Sequence, residues 1–455
     1  MHPIFVARSK AAHPIWFATA ATLRKIAEGL GARDRAFVKS ARFEAKPGRH
    51  LLLPGGGVLF GLESGDAHRN AFLSGMLPGV LPAGIYRFAN PPHDPRLAAL
   101  AFALGDYRFT RYRKAKTGQA KLVLPDGVDG DDLSRIADSV TLARDLINTP
   151  ANDLGPSQLE EAVRSVAKRH GAKFRSIVGS QLLKQNFPLI HAVGRAADTD
   201  RAPRLIELRW GRADNPKITL VGKGVCFDTG GLDLKPENAM LIMKKDMGGA
   251  ASVLALAQMI MGRGLPVSLR VLIPAVENSV SGDAFRPLDI YPSRKGLNVE
   301  IGNTDAEGRL ILADALALAD EEAPDLLIDM GTLTGAARVA LGPELPPFYT
   351  DDEVLATELA HYARQENDPL WRLPLWPRYD SMLDSKIADL NNVATGGMAG
   401  SIVCALFLKR FVSLAKSWLH LDIYAWTPSA KPGRPEGGEC QAARAIFALL
   451  CARYG

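Results

Sequence analysis

Three runs between residues 216 and 276 decide how the chain is to be read: PKITLVG (216–222), GGAASVLALAQMIMGRG (248–264) and VSLRVLIPAV (267–276). The first and third are short, almost unbroken stretches of aliphatic and β-branched residues. A strand with one wet face alternates polar and apolar residues. A strand without alternation is covered on both faces, as in parallel sheets. The middle run has a helical pattern, and strand–helix–strand is the repeating unit of α/β folds. The same grammar continues outward through LNVEI (297–301), RLILADALALADEE (309–322), DLLIDM (325–330) and WLHLDIYAW (418–426). Residues 151–455 are therefore expected to form an α/β domain, a mostly parallel sheet flanked by helices.

Upstream, glycines and prolines punctuate short apolar runs, as in HLLLPGGGVLFGL (50–62), and predict a smaller α/β domain over 1–130. DDLSRIADSVTLARDLINTP (131–150) reads as an amphipathic connecting helix ended by Asn148, Thr149 and Pro150. The 455 residues are 47% hydrophobic and 23% charged, an ordinary globular balance. No window approaches the roughly 18 apolar residues of a membrane span. The N-terminal 25 residues read as a short strand and a helix rather than a signal peptide. The four cysteines, Cys226, Cys404, Cys440 and Cys451, form no C-x-x-C pair, so a thiolate metal site is not expected and the cytoplasm is the default compartment. The net charge of +6 is uneven: residues 1–150 carry +8 and the remainder −2. YRFTRYRKAK (107–116) mixes bases with aromatics and could meet nucleic acid. The plainer expectation is a solvated face whose aromatics point inward.

In α/β sheets, sites gather beyond the carboxyl ends of the strands. After ITLVG comes KGVCFDTGGLDLK, with Lys223, Asp228 and Lys235. MKKDMGGAA places Asp246 just before a helix. After LNVEI comes NTDAEGRL, with Asp305, Glu307 and Arg309, and after LLIDM comes GTLTGAA, with Thr332, Leu333 and Gly335. Singly, each acid could merely cap a helix and meet the positive end of its dipole. Together, four carboxylates at neighbouring strand ends would repel one another unless cations sit among them, and divalent metal is the obvious candidate. An extended 305–309 segment would send Asp305, Glu307 and Arg309 to one side. The nine histidines form no H-E-x-x-H or H-x-x-E-H pattern, so any metal site is expected to be oxygen-rich, with a lysine nitrogen as a further donor.

These motifs, in this order, resemble the leucyl (cytosol) aminopeptidase family over about 145–455, including LPLWPRYDSMLDSKIADLNN (373–392) and GGMAGSIVCALFLKRF (396–411). The resemblance implies a dinuclear metal centre, zinc or manganese with magnesium or cobalt as exchange partners. Carried over, Lys223, Asp228, Asp246 and Glu307 would form the tighter site. Asp228, Asp305 and Glu307 would form the exchangeable one. Lys235 and Arg309 match the catalytic positions, Arg309 holding a bicarbonate that serves as general base. Thr332, Leu333 and Gly335 would bind substrate, and Met243 would wall the first side-chain pocket. A homohexamer and peptide substrates with a free N-terminus are implied too. Cys226 stands where well-known members carry threonine, and KPGRPEGGECQAARA (431–445) departs from their usual ending, which leaves leucine preference open. Two other functions remain: nucleic-acid binding through the basic first domain, and a different two-metal hydrolase such as an amidase or phosphatase.

Overall fold

A computed structural model of the chain describes residues 2–65, 70–113, 120–394 and 396–455. The chain divides into two compact units, 1–141 with 429–436, and 142–428 with 437–455.

The first unit carries a six-stranded sheet in the order Phe5–Val6, Ala120–Val123, Gly84–Phe88, His13–Ala18, Val58–Gly61, His50–Leu52. Its strands pair in parallel except the last, which forms an antiparallel hairpin through the PGGG turn. The helix Pro95–Gly105 begins where Asp94 accepts the Leu97 N–H, with proline at its first position, the favoured arrangement for a helix start. Its residues Leu97–Leu104 are all buried. Beyond it, Tyr112 is 52% exposed, with the Arg111 guanidinium 5.6 Å from its ring centroid. This aromatic does not point inward as expected; it lies at the surface beside an exposed guanidinium. Lys114 to Lys116 of the basic stretch lie outside the described residues.

The helix Gly130–Asn148 spans the division at residue 141, and the second unit holds a nine-stranded mixed sheet. Its parallel centre is Trp418–Asp422, Leu326–Gly331, Lys217–Gly222 and Ser268–Asn278, and Gly224–Asp228 adds to the end of the last. Arg204–Trp210 and Lys173–Val178 extend one side in antiparallel fashion. The expected 297–301 strand is not part of this sheet. Asn298–Glu300 pairs instead with Ile290–Pro292 and Leu390–Asn391 in a separate three-stranded sheet. Only Val299 of that triplet is an aliphatic core residue, too little apolar surface for the buried centre of a sheet.

Helices cover both faces of the nine-stranded sheet. Alternation along Lys217–Gly222 turns Val221 toward the helix Glu307–Asp320 and Gly222 toward Gly248–Arg263. Gly248 to Met261 are buried without exception, which is why the 248–264 run lacks a polar stripe. The helix Glu307–Asp320 is anchored from within by Asp314. Its fully buried carboxylate accepts from Leu189 N at 2.8 Å, Ile190 N at 3.2 Å and Arg294 N at 2.8 Å. No described helix is long and apolar enough to cross a membrane.

Removing the Asp314 carboxylate strands three amide donors, so Asp314→Ala should lower the unfolding free energy by about 2–4 kcal/mol. Urea denaturation checks this, and a change under about 0.5 kcal/mol, the size of an ordinary surface substitution, would contradict the anchor.

Candidate metal centre

The site grows out of a lysine at the end of a central strand. Lys223 follows Lys217–Gly222, and its amide donates to Met330 O at 2.9 Å. The side chain is buried and its ammonium donates to Thr332 O at 2.8 Å. The same nitrogen lies 2.7 Å from Asp246 Oδ2 and 2.8 Å from Glu307 Oε1. It reaches that position only because residue 308 is glycine. A Cβ there would fall 2.5 Å from Lys223 Cε and 2.6 Å from its Nζ.

A second lysine repeats the arrangement. Lys235 Nζ lies 2.9 Å from Asp228 Oδ2 and pairs also with Asp305 Oδ1. Asp228 is aimed by its other oxygen, which accepts from Gly230 N and from Asn278 Nδ2, each at 2.9 Å. Asn278 donates also to Thr304 O, and Thr304 locks to Asp233 and Gly230. One asparagine thus ties the Asp228 loop to the Asp305 loop. One oxygen each of Asp228, Asp305 and Glu307 lie within 4.8 Å of one another.

Four carboxylates and two ammoniums leave two negative charges in a largely dry place. Burial, and then the neighbouring Asp228, push Glu307 up to about 8 and Asp305 up to about 6. Burial works to lower Lys223, but Asp246 and Glu307 outweigh it and hold the ammonium above its usual range; Asp228 does the same for Lys235. Asp246 Oδ2, Asp305 Oδ1 and Glu307 Oε1 are met by the two lysine ammoniums alone. Buried carboxylates in excess of the cations that face them fit divalent cations. Oxygens supplemented by one lysine nitrogen and no histidine make a hard donor set.

The cleft above the cluster has a volume of about 490 Å³. Lys223, Asp228, Lys235, Met243, Asp246, Asp305, Thr332, Leu333 and Gly335 all line it. Met243 and Asp246 share the short turn Met243–Met247, and Thr332 Oγ1 donates to Asp246 Oδ1 at 2.7 Å. Asp422 holds the loop around Leu333, accepting from Leu333 N and Thr334 N. Gly335 opens the helix Gly335–Leu341, for which Thr334 is the cap.

Glu307 and Arg309 lie behind this surface. The expectation of an extended 305–309 segment fails, because the helix starts at Glu307. Helical residues two apart diverge by about 200°. Glu307 therefore faces Lys223, while Arg309 Nη1 donates to Asn392 O at 2.8 Å. Asn392 was not legible as a site residue, yet it also binds Gly302 N, Asn303 N and Asn303 O. Asn278, Lys245 and Tyr424 are silent in the sequence too: Lys245 sits within MKKDMGGAA with no role assigned, and only the fold brings Lys245 and Tyr424 to the cleft and Asn278 to Asp228.

Comparisons with known proteins agree with this architecture. Residues 141–447 match the profile described as the cytosol aminopeptidase family, catalytic domain, and residues 14–125 match the M17 aminopeptidase N-terminal domain. A probable cytosol aminopeptidase of Roseiflexus castenholzii is 37% identical over 431 residues, covering 89% of this chain and 88% of that one. Peptidase B of Pectobacterium carotovorum is 43% identical over 327 residues, 69% of this chain and 74% of the relative. Among solved structures, cytosol aminopeptidase from Coxiella burnetii superimposes with a TM-score of 0.93 at 45% identity, covering 99% of this chain and all of the other. The bottromycin maturation enzyme BotP in complex with Mn gives a TM-score of 0.86 at 31% identity over 97% and 99% of the two chains. The chain belongs to the cytosol aminopeptidase family. It is accordingly a metal-dependent hydrolase, an aminopeptidase acting on peptides.

Gly308→Ala should push Lys223 out of the cluster while leaving far-UV dichroism unchanged. After chelation, Mn²⁺ should raise the melting temperature of the wild-type chain by mass action. The variant should need at least about tenfold more metal for the same rise, equivalent to roughly 1.4 kcal/mol of lost binding energy. Superimposable titrations would show that Lys223 does not set metal affinity.

Proposed function

We propose that this aminopeptidase works through two divalent cations, zinc or manganese, with magnesium or cobalt able to exchange. The convergence of four carboxylates on two lysines, Lys223 buried and Lys235 partly buried, is the observation that carries the proposal. Lys223, Asp228, Asp246 and Glu307 would hold the tighter ion. Asp228, Glu307 and Asp305, through its side chain and backbone carbonyl, would hold the other. When bound, the cations capture the free α-amine of the peptide, polarise the scissile carbonyl and acidify a water molecule.

The remaining work belongs to the chain. Lys223 can ligate only as a neutral amine, so it releases a proton on loading. With Asp228 and Asp305 engaged by cations, Lys235, which now pairs with both, would be free. Its ammonium, at the cleft wall, then stabilises the negative charge that develops on the carbonyl oxygen. Arg309 has four guanidinium N–H groups left once Nη1 has donated to Asn392 O, and among the described residues they have no hydrogen-bond partner. Arg309 would hold the bicarbonate, which would serve as general base. Thr332, Leu333 and Gly335 bond the substrate backbone, and Met243 walls the first side-chain pocket. Because cleavage depends on amine capture, it stops at the first residue. A two-metal amidase or phosphatase has no such requirement.

The same reading includes a homohexamer in the cytoplasm. Leu241, Val339 and Met398 are 79%, 86% and 75% exposed, apolar surface that further copies would cover. Nucleic-acid binding by the first unit is a secondary role, supported by the exposed Arg111–Tyr112 pair, a combination suited to stacking on bases.

With Mn²⁺ or Zn²⁺ loaded, aminoacyl p-nitroanilides should be cleaved as free amines and not when N-acetylated. Glu307→Ala and Lys235→Ala should each lower kcat/KM by at least about a thousandfold, the order of a lost electrostatic stabiliser. Equal rates on acetylated substrates would refute amine capture. Retention of the full-length chain on single-stranded DNA should fall steeply with salt. Absence of retention at low salt removes the secondary role.

A further inference from the structure

The cleft contains a cation for which the chemistry above has no use. Lys245 lies in the turn Met243–Met247, one residue before Asp246, and lines the cleft. Its side chain is buried, with the residue 5% exposed. Its ammonium has no hydrogen-bond partner among the described residues and lies 4.8 Å from the centroid of the Tyr424 ring. The exposed Arg338 guanidinium is 5.1 Å from the same centroid.

The nearest carboxylates are engaged elsewhere. Asp422 Oδ1 accepts from Leu333 N and Thr334 N, and its Oδ2 accepts from Thr334 Oγ1 and Ser401 Oγ. Asp246 accepts from Thr332 Oγ1 on one oxygen and faces Lys223 with the other. A ring face compensates only part of the loss of hydration of a buried ammonium. The arrangement therefore has room for one more anion. That anion must sit close to the metal cluster, since Lys245 adjoins Asp246 in the chain. The part of a peptide that comes this near is the residue whose amine the cluster captures.

We infer that Lys245, assisted by Arg338, selects peptides whose first residue is acidic, by pairing with the side-chain carboxylate of a glutamyl or aspartyl group. The inference rests on the reading of this cleft as the aminopeptidase site. A leucyl side chain would dehydrate the ammonium and leave it unpaired, and a lysyl side chain would meet like charge. Discrimination thus arises from rejection as well as attraction.

The test uses the metal-loaded full-length enzyme and the p-nitroanilides of Glu, Asp, Leu and Lys at one pH. The wild type should cleave the better acidic substrate with kcat/KM at least tenfold above leucyl, and lysyl should be slowest. Lys245→Met, with bound metal counted to confirm an intact cluster, should lower the acidic-to-leucyl ratio at least twentyfold. Arg338→Gln, an exposed position, should lower the same ratio severalfold and stands in if the first variant misfolds. A wild-type preference for leucyl, or an unchanged ratio in both variants, overturns the inference while leaving the aminopeptidase reading intact. No cleavage of any free-amine substrate would bring down that reading, and this inference with it.

Discussion

Repulsion among buried carboxylates is the constraint that shapes the second unit. Asp228, Asp246 and Glu307 are 1–3% exposed, at a depth where like charges close together are strongly unfavourable. Each is tolerated because something is aimed at it: Asn278 and Gly230 N–H at Asp228, Thr332 at Asp246, Lys223 at Glu307. The loops are pinned by those same contacts. A substitution at Asn278 or Thr332 would consequently be felt by the loops and the acids together.

The scaffold explains why such a cluster can exist. Parallel strands end at a common edge, so residues far apart in the chain are presented side by side. Lys223 and Asp228 come from one pair of strand ends, Thr332 from another, and Asp246 and Glu307 from the starts of the two helices that cover opposite faces. The helices bury apolar residues along nearly their whole length. That packing fixes the first turn that holds Glu307, and the helix start at Gly248 just after Asp246, far more firmly than a loop would.

Much of this was legible in the sequence, for definable reasons. Unbroken apolar runs announced doubly covered strands, and clustered acids and glycines marked the loops at their ends. Other features were silent. LNVEI looks like its neighbours, but its place in a separate sheet depends on Leu390–Asn391 arriving from far along the chain. The alternate spacing in NTDAEGRL suggested an extended segment, whereas the helix start at Glu307 divides its charges between two directions. Asn278 and Asn392 look like any strand-end asparagine until their partners are known. The solitary state of Lys245 is a statement about what surrounds it, which no local pattern encodes.

Asn392 has a consequence for the order in which the enzyme comes into being. It joins Asn303 across 89 residues of chain, and it braces both the Asp305 loop and Arg309. Contacts of such separation form late, because the intervening chain must first be closed. During synthesis the acid-bearing loops are complete long before residue 392 has been made. A chain made only as far as Glu307 therefore carries the acids of its centre without the brace that aligns them, and their alignment waits for residue 392 to fold onto the sheet.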